Sequence, residues 1–377
     1  MMGNNKILVA AAGSGKTTHI VREALSVRDE LVLIVTYTIS NQIEIVKKIR
    51  EISGSQPDNI HVRTWFSFLI SEGVRPFQGV LFETHVNGME MVNKPSAFRY
   101  KMGKTPVYWG EANFDRHYFN SSHCVYSDKL SKLVVRCNDA SGGSVFNRLS
   151  RIYRHIYVDE VQDLAGYDLD VLDGLFRSTM NVTAVGDPRQ VVYLTHHERR
   201  FTKYAGSNFL EFFQKELPKK LNVIIDDSTL HVSHRNSAEI CKIASLLYPA
   251  LRETEACQCP ACRPIASAHS GMYIVSRDRV GAFLTQFQPT VLRHSVATAV
   301  SPATAEVLNF GESKGLGFDS VLIYPTAEMA LWLVDHSQDL KPGTRARFYV
   351  ALTRARHTVG VVHDYHEDAV IEGFSRF

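Results

Sequence analysis

No stretch of the 377-residue chain approaches the roughly 18 consecutive apolar residues of a helical membrane span. The first residues also lack the charged, apolar and small-residue succession of a secretory leader, so a cytoplasmic setting is expected. There is little net charge: 42 Lys and Arg against 39 Asp and Glu leave +3, too slight to argue for a polyanionic partner by itself. No internal repeat or low-complexity tract occurs, and the six cysteines do not form the dense framework of a small secreted domain. The remainder, 45% hydrophobic and 21% charged, is an ordinary globular composition, and the length accommodates two domains with insertions.

Within that ordinary background, "LVAAAGSGKTTHI" (Leu8 to Ile20) stands out. It matches the phosphate-binding pattern of glycine, four residues and Gly-Lys-Ser/Thr, with Ala10 in place of the first glycine. An apolar run, Ile7 to Val9, precedes it and a helical period follows, as the motif requires. Gly13 and Gly15 let backbone N–H groups turn inward at a helix N-terminus, where partial positive charge favours phosphate. Lys16 reaches the β- and γ-phosphates in such a loop, and the Thr17 hydroxyl binds Mg²⁺. The alternative is a Gly-Ser turn that merely enters a helix.

From the start to about Leu69, strands alternate with helices: "LVLIVT" (Leu31 to Thr36) is a buried strand, and Ile43, Val46, Ile49 and Ile52 form an amphipathic helix after Ser40 and Asn41. Between about residues 73 and 151 no clean period is evident, and the segment is read as an insertion against the first domain. Order returns with "HIYVDEVQDL" and "NVTAVGDPRQVVYL", two strands that end in acidic loops. A second α/β region starts near Leu230 and is broken by a cysteine-bearing stretch. The expected fold is α/β, with two parallel-sheet domains: 1–225 with its insertion at about 73–151, and 226–377 with a reduced insertion at about 250–271. Asp159 and Glu160 emerge at the carboxyl end of their strand, a position that suits metal coordination and activation of water.

Eight segments, "AAAGSGKTT", "IVTYTISN", "VRTWFSF", "VDEVQD", "AVGDPRQVVY", "VSHRNSAEI", "ESKGLGFDSVLIYP" and "FYVALTRARHTVGVV", follow the motif order of superfamily 1 helicases of the UvrD/Rep type. The chain resembles that family from Leu8 to Val362. The resemblance implies two RecA-like P-loop NTPase domains, ATP with Mg²⁺ in the cleft between them, and single-stranded DNA across both. It implies nucleotide contacts at Ala12, Gly13, Ser14, Gly15, Lys16, Thr17 and Thr18, with Thr17 and Asp159 on the metal. Glu160 becomes the general base, Gln190 the sensor of the γ-phosphate, and Arg235 and Arg354 the arginines that stabilise the leaving phosphoryl group. Thr36, Tyr37, Thr64, Trp65 and Tyr193 match strand-contacting positions. Lys314 and Gly315 mark a loop that couples the second domain to both ligands. The implied activity is an ATP-dependent translocase and helicase. An RNA-directed enzyme of the same superfamily fits the phosphate and stacking contacts too, and a regulatory subunit that uses ATP and a DNA end as a switch for a nuclease partner is the rival from another class.

The chain departs from the family in several places. Asn4 and Asn5 stand where an adenine-reading glutamine is usual, Gly317 where a glutamate is common, and Phe66 and Gly311 where histidines are frequent. The accessory insertions are short, so a protein partner for duplex unwinding is expected. A need for ATP and Mg²⁺ places the six cysteines in a reducing compartment as free thiols. "CQCPAC" nevertheless brings Cys257, Cys259 and Cys262 close together in sequence, and Cys241 or His269 could complete a Zn²⁺ site; free thiols are the commoner outcome of such spacing. His196 and His197, and the basic run Lys215 to Lys220, read as solvated surface.

Overall fold

The computed structural model describes residues 4–83, 85–192, 200–204, 208–217, 221–262, 270–301, 306–365 and 370–377. Contacts divide the chain into two compact units: Met1–Leu8, Lys16–Gly186 and Leu194–Asp226 form the first, and Val9–Gly15, Asp187–Tyr193 and Asp227–Phe377 the second. The expected α/β class is the observed one, with a six-stranded parallel sheet at the centre of each. Among the described residues no helix is long and apolar enough to cross a membrane.

Strands β1 (Lys6–Val9), β2 (Val32–Thr36), β3 (Ile60–Thr64), β4 (Gly88–Glu90), β5 (Phe98–Met102), β6 (Thr105–Tyr108), β7 (Cys124–Tyr126), β8 (His155–Val158), β9 (Asn181–Gly186) and β10 (Ile224–Asp226) come first. Their main sheet has the order β10-β1-β9-β8-β2-β3. All five residues of β2 are buried, the continuous apolar pattern of a strand covered on both faces. Parallel pairing of β2 with β3 and β8, and of β8 with β9, brings the carboxyl ends of these strands to one edge. Ligands of open parallel sheets gather at such an edge.

The helix after β2, Ile39–Ser53, differs in detail from its expected form. Its cap is Thr38, whose hydroxyl accepts from the Asn41 N–H, and its buried residues are Ile45 and Ile49. Ile43 and Ile52 are exposed, because a three-residue step drifts around a helix of 3.6 residues per turn while an i, i+4 pair stays on one face. Segment 73–151 is also more regular than expected. Helix Leu130–Ala140 buries Leu130, Leu133, Val134 and Cys137, and helix Ser144–Ile152 buries Val145 and Leu149, all within the core of the first unit. The Leu130 to Cys137 spacing is a helical stripe that the neighbouring polar residues obscured.

In the second unit, β11 (Val232–Ser233) pairs with β12 (Glu255–Ala256), so the cysteine-bearing stretch is anchored by a short parallel ladder. Strands β13 (Gly271–Val275), β14 (Thr290–Arg293), β15 (Val307–Asn309), β16 (Phe318–Tyr324), β17 (Ala355–Val362) and β18 (Ser375–Arg376) form a sheet of order β15-β14-β16-β17-β13-β18. Helix Pro342–Leu352 buries Ala346 and every residue from Phe348 to Leu352. Its hydrophobic stripe is broad, and it serves as a central strut of that unit's core.

A close packing point joins β9 to the acidic loop after β8: a Cβ on Gly186 would lie 2.4 Å from Gln162 Oε1 and 2.8 Å from Val161 Cγ1. Gly186→Ala is therefore expected to destabilise the protein by about 1–3 kcal/mol, the usual cost of overpacking, as measured by urea unfolding. Wild-type stability would show that the loop yields freely.

Candidate nucleotide and nucleic-acid site

The loop after β1 has the geometry of an anion cradle. Gly13 and Gly15 have φ of 72° and 80°, in the left-handed region that favours glycine. Between them, Ser14 is buried and its hydroxyl has no hydrogen-bond partner among the described residues. An unpartnered buried hydroxyl is costly, and a phosphate oxygen in the loop would satisfy it. Lys16 and Thr17 open helix Lys16–Ser26, with Thr18 behind them, so the loop runs directly into a helix N-terminus, where partial positive charge favours anions. These donors fit a nucleotide triphosphate.

Lys16 is held at 3.5 Å from Glu160, Nζ to Oε1. Glu160 follows Asp159 directly beyond β8 and has a φ of 54°, unusual for a residue with a side chain. Its N–H donates to Asp159 Oδ1, and its other carboxylate oxygen accepts from the Gln162 side-chain amide. Asp159 is buried, and burial, reinforced by the adjacent Glu160 charge, raises its carboxyl above the ordinary range while Lys16 opposes the shift. A divalent cation would relieve that penalty, and the Thr17 hydroxyl with the Asp159 carboxylate is a hard-oxygen donor set suited to Mg²⁺.

Within the second unit the glycine loop is gripped from several sides. Its Ala12 N–H donates to the Tyr349 hydroxyl at 3.2 Å, and that hydroxyl donates to Asp187 Oδ2 at 3.3 Å. Asp187 is fully buried and also accepts from the Gln190 side-chain amide at 2.9 Å and the Arg189 backbone at 3.1 Å. Arg189 in turn donates to the Ala10 carbonyl. Gln190, the expected phosphate sensor, is thus fixed by the same carboxylate that steadies the loop.

Arg235 lies against the loop: a Cβ on Gly13 would come within 2.6 Å of Arg235 Cβ and 2.7 Å of Ser233 Oγ. The Arg235 Nε is 3.4 Å from the corresponding position on Gly317, so the glycine that replaces a family glutamate leaves room for this guanidinium. The second arginine is held differently. Arg354 is 1% exposed; its Nε donates to Val350 O, and its Nη1 to Leu316 O at 3.0 Å and Ser313 O at 3.4 Å, which braces the turn carrying Lys314 and Gly315. Asn236 links the two arginine segments, since its amide donates to the carbonyls of Thr353 and Ala355 on either side of Arg354. Sequence reasoning assigned no role to Asn236, Tyr349, Asp187 or Arg189. The polar "GDPRQ" run beside an apolar strand was the available signal.

The strand-contact positions of the first unit divide into two groups. Tyr37, Thr64 and Phe66 line a groove of ≈ 660 Å³ at the carboxyl ends of β2 and β3, together with Arg63, Arg75 and Met91. Tyr37 is half-buried and packs on Phe66 at 5.6 Å; burial pushes its phenol up to about 12. Thr64 caps the following helix by accepting from Ser67 N–H. Trp65 departs from its expected place on the strand-binding face. It is 1% exposed, with its indole N–H bonded to Asp168 at 2.8 Å, because the helix begun at Thr64 turns residue 65 into the core and leaves residue 66 at the groove. Thr36 is likewise buried, its hydroxyl without a partner among the described residues. Tyr193, His196, His197 and His269 lie outside the described residues, as do Lys219 and Lys220 of the basic run. Lys215 ends a helix and pairs with Glu211.

The cysteines also sort themselves. Cys241 is buried in helix Ala238–Leu246 against the Asn236 carbonyl and is not among the grouped donors. The donors that do lie close are those of His234, Cys257 and Cys262, whose ligand atoms are within 4.8 Å of one another.

Residues 101–196 match the UvrD/REP helicase N-terminal domain, a span that includes Asp159, Glu160 and Gln190 and begins well after the glycine loop. No match was found among curated proteins. Among solved structures, the chain is similar to the Arterivirus nonstructural protein 10 helicase (15% identity, TM-score 0.45, 96% of this chain and 60% of that one). The same protein in complex with DNA gives 15%, 0.44, 96% and 60%, and the PRRSV helicase 13%, 0.44, 98% and 55%. The chain therefore spans about 60% of the length of these structures. Over residues 101–196, within a chain of two parallel-sheet units, the protein is similar to the N-terminal domain of the UvrD/REP helicases.

Proposed function

We propose that the protein hydrolyses ATP with Mg²⁺ and uses the cycle to move along single-stranded DNA, displacing a complementary strand, in a reducing cytoplasm. The observation that carries this reading is the glycine loop, whose buried Ser14 hydroxyl has no partner among the described residues, joined to a lysine held by the carboxylate proposed as general base.

The Lys16–Glu160 pair suggests how binding arms the site. An incoming γ-phosphate competes for Lys16, and as the lysine turns to it, Glu160 loses its cation and becomes free to take a proton from water. Gln162 keeps the released carboxylate oriented. Thr17 and Asp159 would hold Mg²⁺, which supplies charge neutralisation between the β- and γ-phosphates. Arg235 lies against Gly13 of the loop within the second unit. Arg354 exchanges the carbonyls of Ser313 and Leu316 for phosphate oxygens, which releases the Gly315 turn. In that way phosphate chemistry reaches a loop that the family resemblance assigns to nucleic acid.

For the strand, the groove of Tyr37 and Phe66 offers aromatic surface, and Arg63 and Arg75 offer charge for phosphates. Stacking of this kind tolerates any base and does not read the 2′-hydroxyl, so DNA and RNA are separated by experiment. The short accessory segments favour a nuclease or other protein partner for processive unwinding.

The direct test is ATP turnover with single-stranded DNA, single-stranded RNA or neither. Stimulation by DNA above RNA is expected; stimulation by RNA alone would reassign the substrate, and none by either would refute the motor. Glu160→Gln is expected to cut turnover by about 10²–10⁴-fold while a fluorescent ATP analogue still binds, and normal turnover would remove the assigned base. Lys16→Ala and Arg354→Ala are each expected to abolish turnover. Tyr37→Ala should weaken strand binding by about 1–3 kcal/mol in a fluorescence-anisotropy titration without changing basal hydrolysis. Unaltered affinity would exclude the groove as the stacking surface.

A further inference from the structure

The second unit carries a group of metal-type donors that ATP chemistry does not use. Strand β11 leads directly into His234 and strand β12 into Cys257, and their parallel register, Ser233 opposite Ala256, puts these two residues side by side. The Cys257 N–H donates to the Ser233 carbonyl at 2.8 Å and extends the ladder by one bond. Beyond it, the chain turns back through Pro260, closed by the Cys262 N–H on the Cys259 carbonyl at 3.0 Å. That turn carries the Cys262 sulfur to 3.4 Å from His234 Nδ1, and it also carries the exposed Cys259. Two sulfurs and one imidazole nitrogen thus converge from two strands and a turn, and Cys259 on the same turn is the candidate fourth donor.

We propose that His234, Cys257, Cys259 and Cys262 form a structural Zn²⁺ site of the Cys₃His class. With Zn–S bonds of about 2.3 Å, tetrahedral donors stand roughly 3.8 Å apart. The donors of His234, Cys257 and Cys262 already lie within 4.8 Å of one another, so closing on a metal requires only a small contraction. All six cysteines are free thiols, and these three lie on the accessible side of the unit rather than in its core, where metal entry is open. Binding displaces the thiol protons, leaving three thiolates and a neutral imidazole on the cation.

Such a metal would do more than tie a hairpin. The N–H of His234 donates to the Gly13 carbonyl at 2.9 Å, and Arg235 is the next residue. Ligation through Nδ1 would fix the imidazole as its Nε2–H tautomer. Its Cδ2, adjacent to Nε2, lies 3.9 Å from where a Cβ on Gly15 would stand. The zinc would therefore hold in register the strand that supports the glycine loop and presents Arg235. This last consequence rests on the nucleotide reading above; the metal site itself does not.

The test is the metal content of the full chain produced with zinc supplied and purified under reducing conditions. One zinc per chain is expected by elemental analysis. Replacement by Co²⁺ is expected to give the intense visible and thiolate charge-transfer bands of a tetrahedral sulfur-rich site. These measurements use the unaltered chain, so they do not depend on whether a variant folds. Cys257→Ser, Cys262→Ser and His234→Asn should each lose most of the metal, and Cys124→Ser, remote in sequence and outside the cluster, should keep it. Zinc far below one equivalent with all thiols titratable, a disulfide within the cluster, or full zinc retention in both Cys257→Ser and Cys262→Ser would overturn the proposal. Chelation of the zinc is expected to raise the ATP concentration for half-saturation several-fold. A chain that binds zinc but no ATP would refute the nucleotide reading and leave the metal site standing.

Discussion

The buried carboxylate of Asp187 is the point from which the candidate nucleotide site is organised. A charged group with no solvent access must collect partners, and Asp187 collects the Gln190 amide, the Arg189 backbone and the Tyr349 hydroxyl. Through Tyr349 it reaches the Ala12 N–H, and through Arg189 the Ala10 carbonyl. A glycine-rich loop is entropically expensive to order, so these bonds at its alanines set the shape of its glycine backbone.

The same logic extends to the cations. Ser233, Asn236 and the backbone beside Arg354 form one hydrogen-bonded strip, so Arg235 and Arg354 are positioned by a shared set of buried amide and carbonyl groups rather than by independent loops. On the first unit, Glu160 adopts a left-handed backbone while Asp159 stays buried with a raised carboxyl. Such costs are sustained where surrounding structure over-determines them, and they cluster at sites where charge must later rearrange.

Much of this was legible in the sequence for physical reasons. The glycine loop, the "VDE" strand end and the alternation of buried strands with amphipathic helices are local patterns, and local patterns survive without tertiary information. Failures occurred where long-range packing decides. The indole of Trp65 was assigned to a nucleic-acid face, yet a helix cap at Thr64 rotates it onto Asp168 in the core. Helix Leu130–Ala140 hid in a polar neighbourhood because its apolar stripe makes sense only against the core it meets. His234 escaped notice as a neighbour of the cysteines because 22 residues separate it from Cys257, and only the β11–β12 pairing joins them. Tyr349 and Asp187 are 162 positions apart, and no spacing rule connects such residues.

The central claim is that Lys16 is shared between Glu160 and a triphosphate. A structure of the complex with Mg²⁺ and a non-hydrolysable ATP analogue tests it most directly. The account requires the Lys16 ammonium to lie on the β- and γ-phosphate oxygens, with the Ser14 hydroxyl in hydrogen-bond contact with phosphate and the Glu160 carboxylate released. A triphosphate bound elsewhere, with the Lys16–Glu160 pair intact and Ser14 still unpartnered, would contradict it.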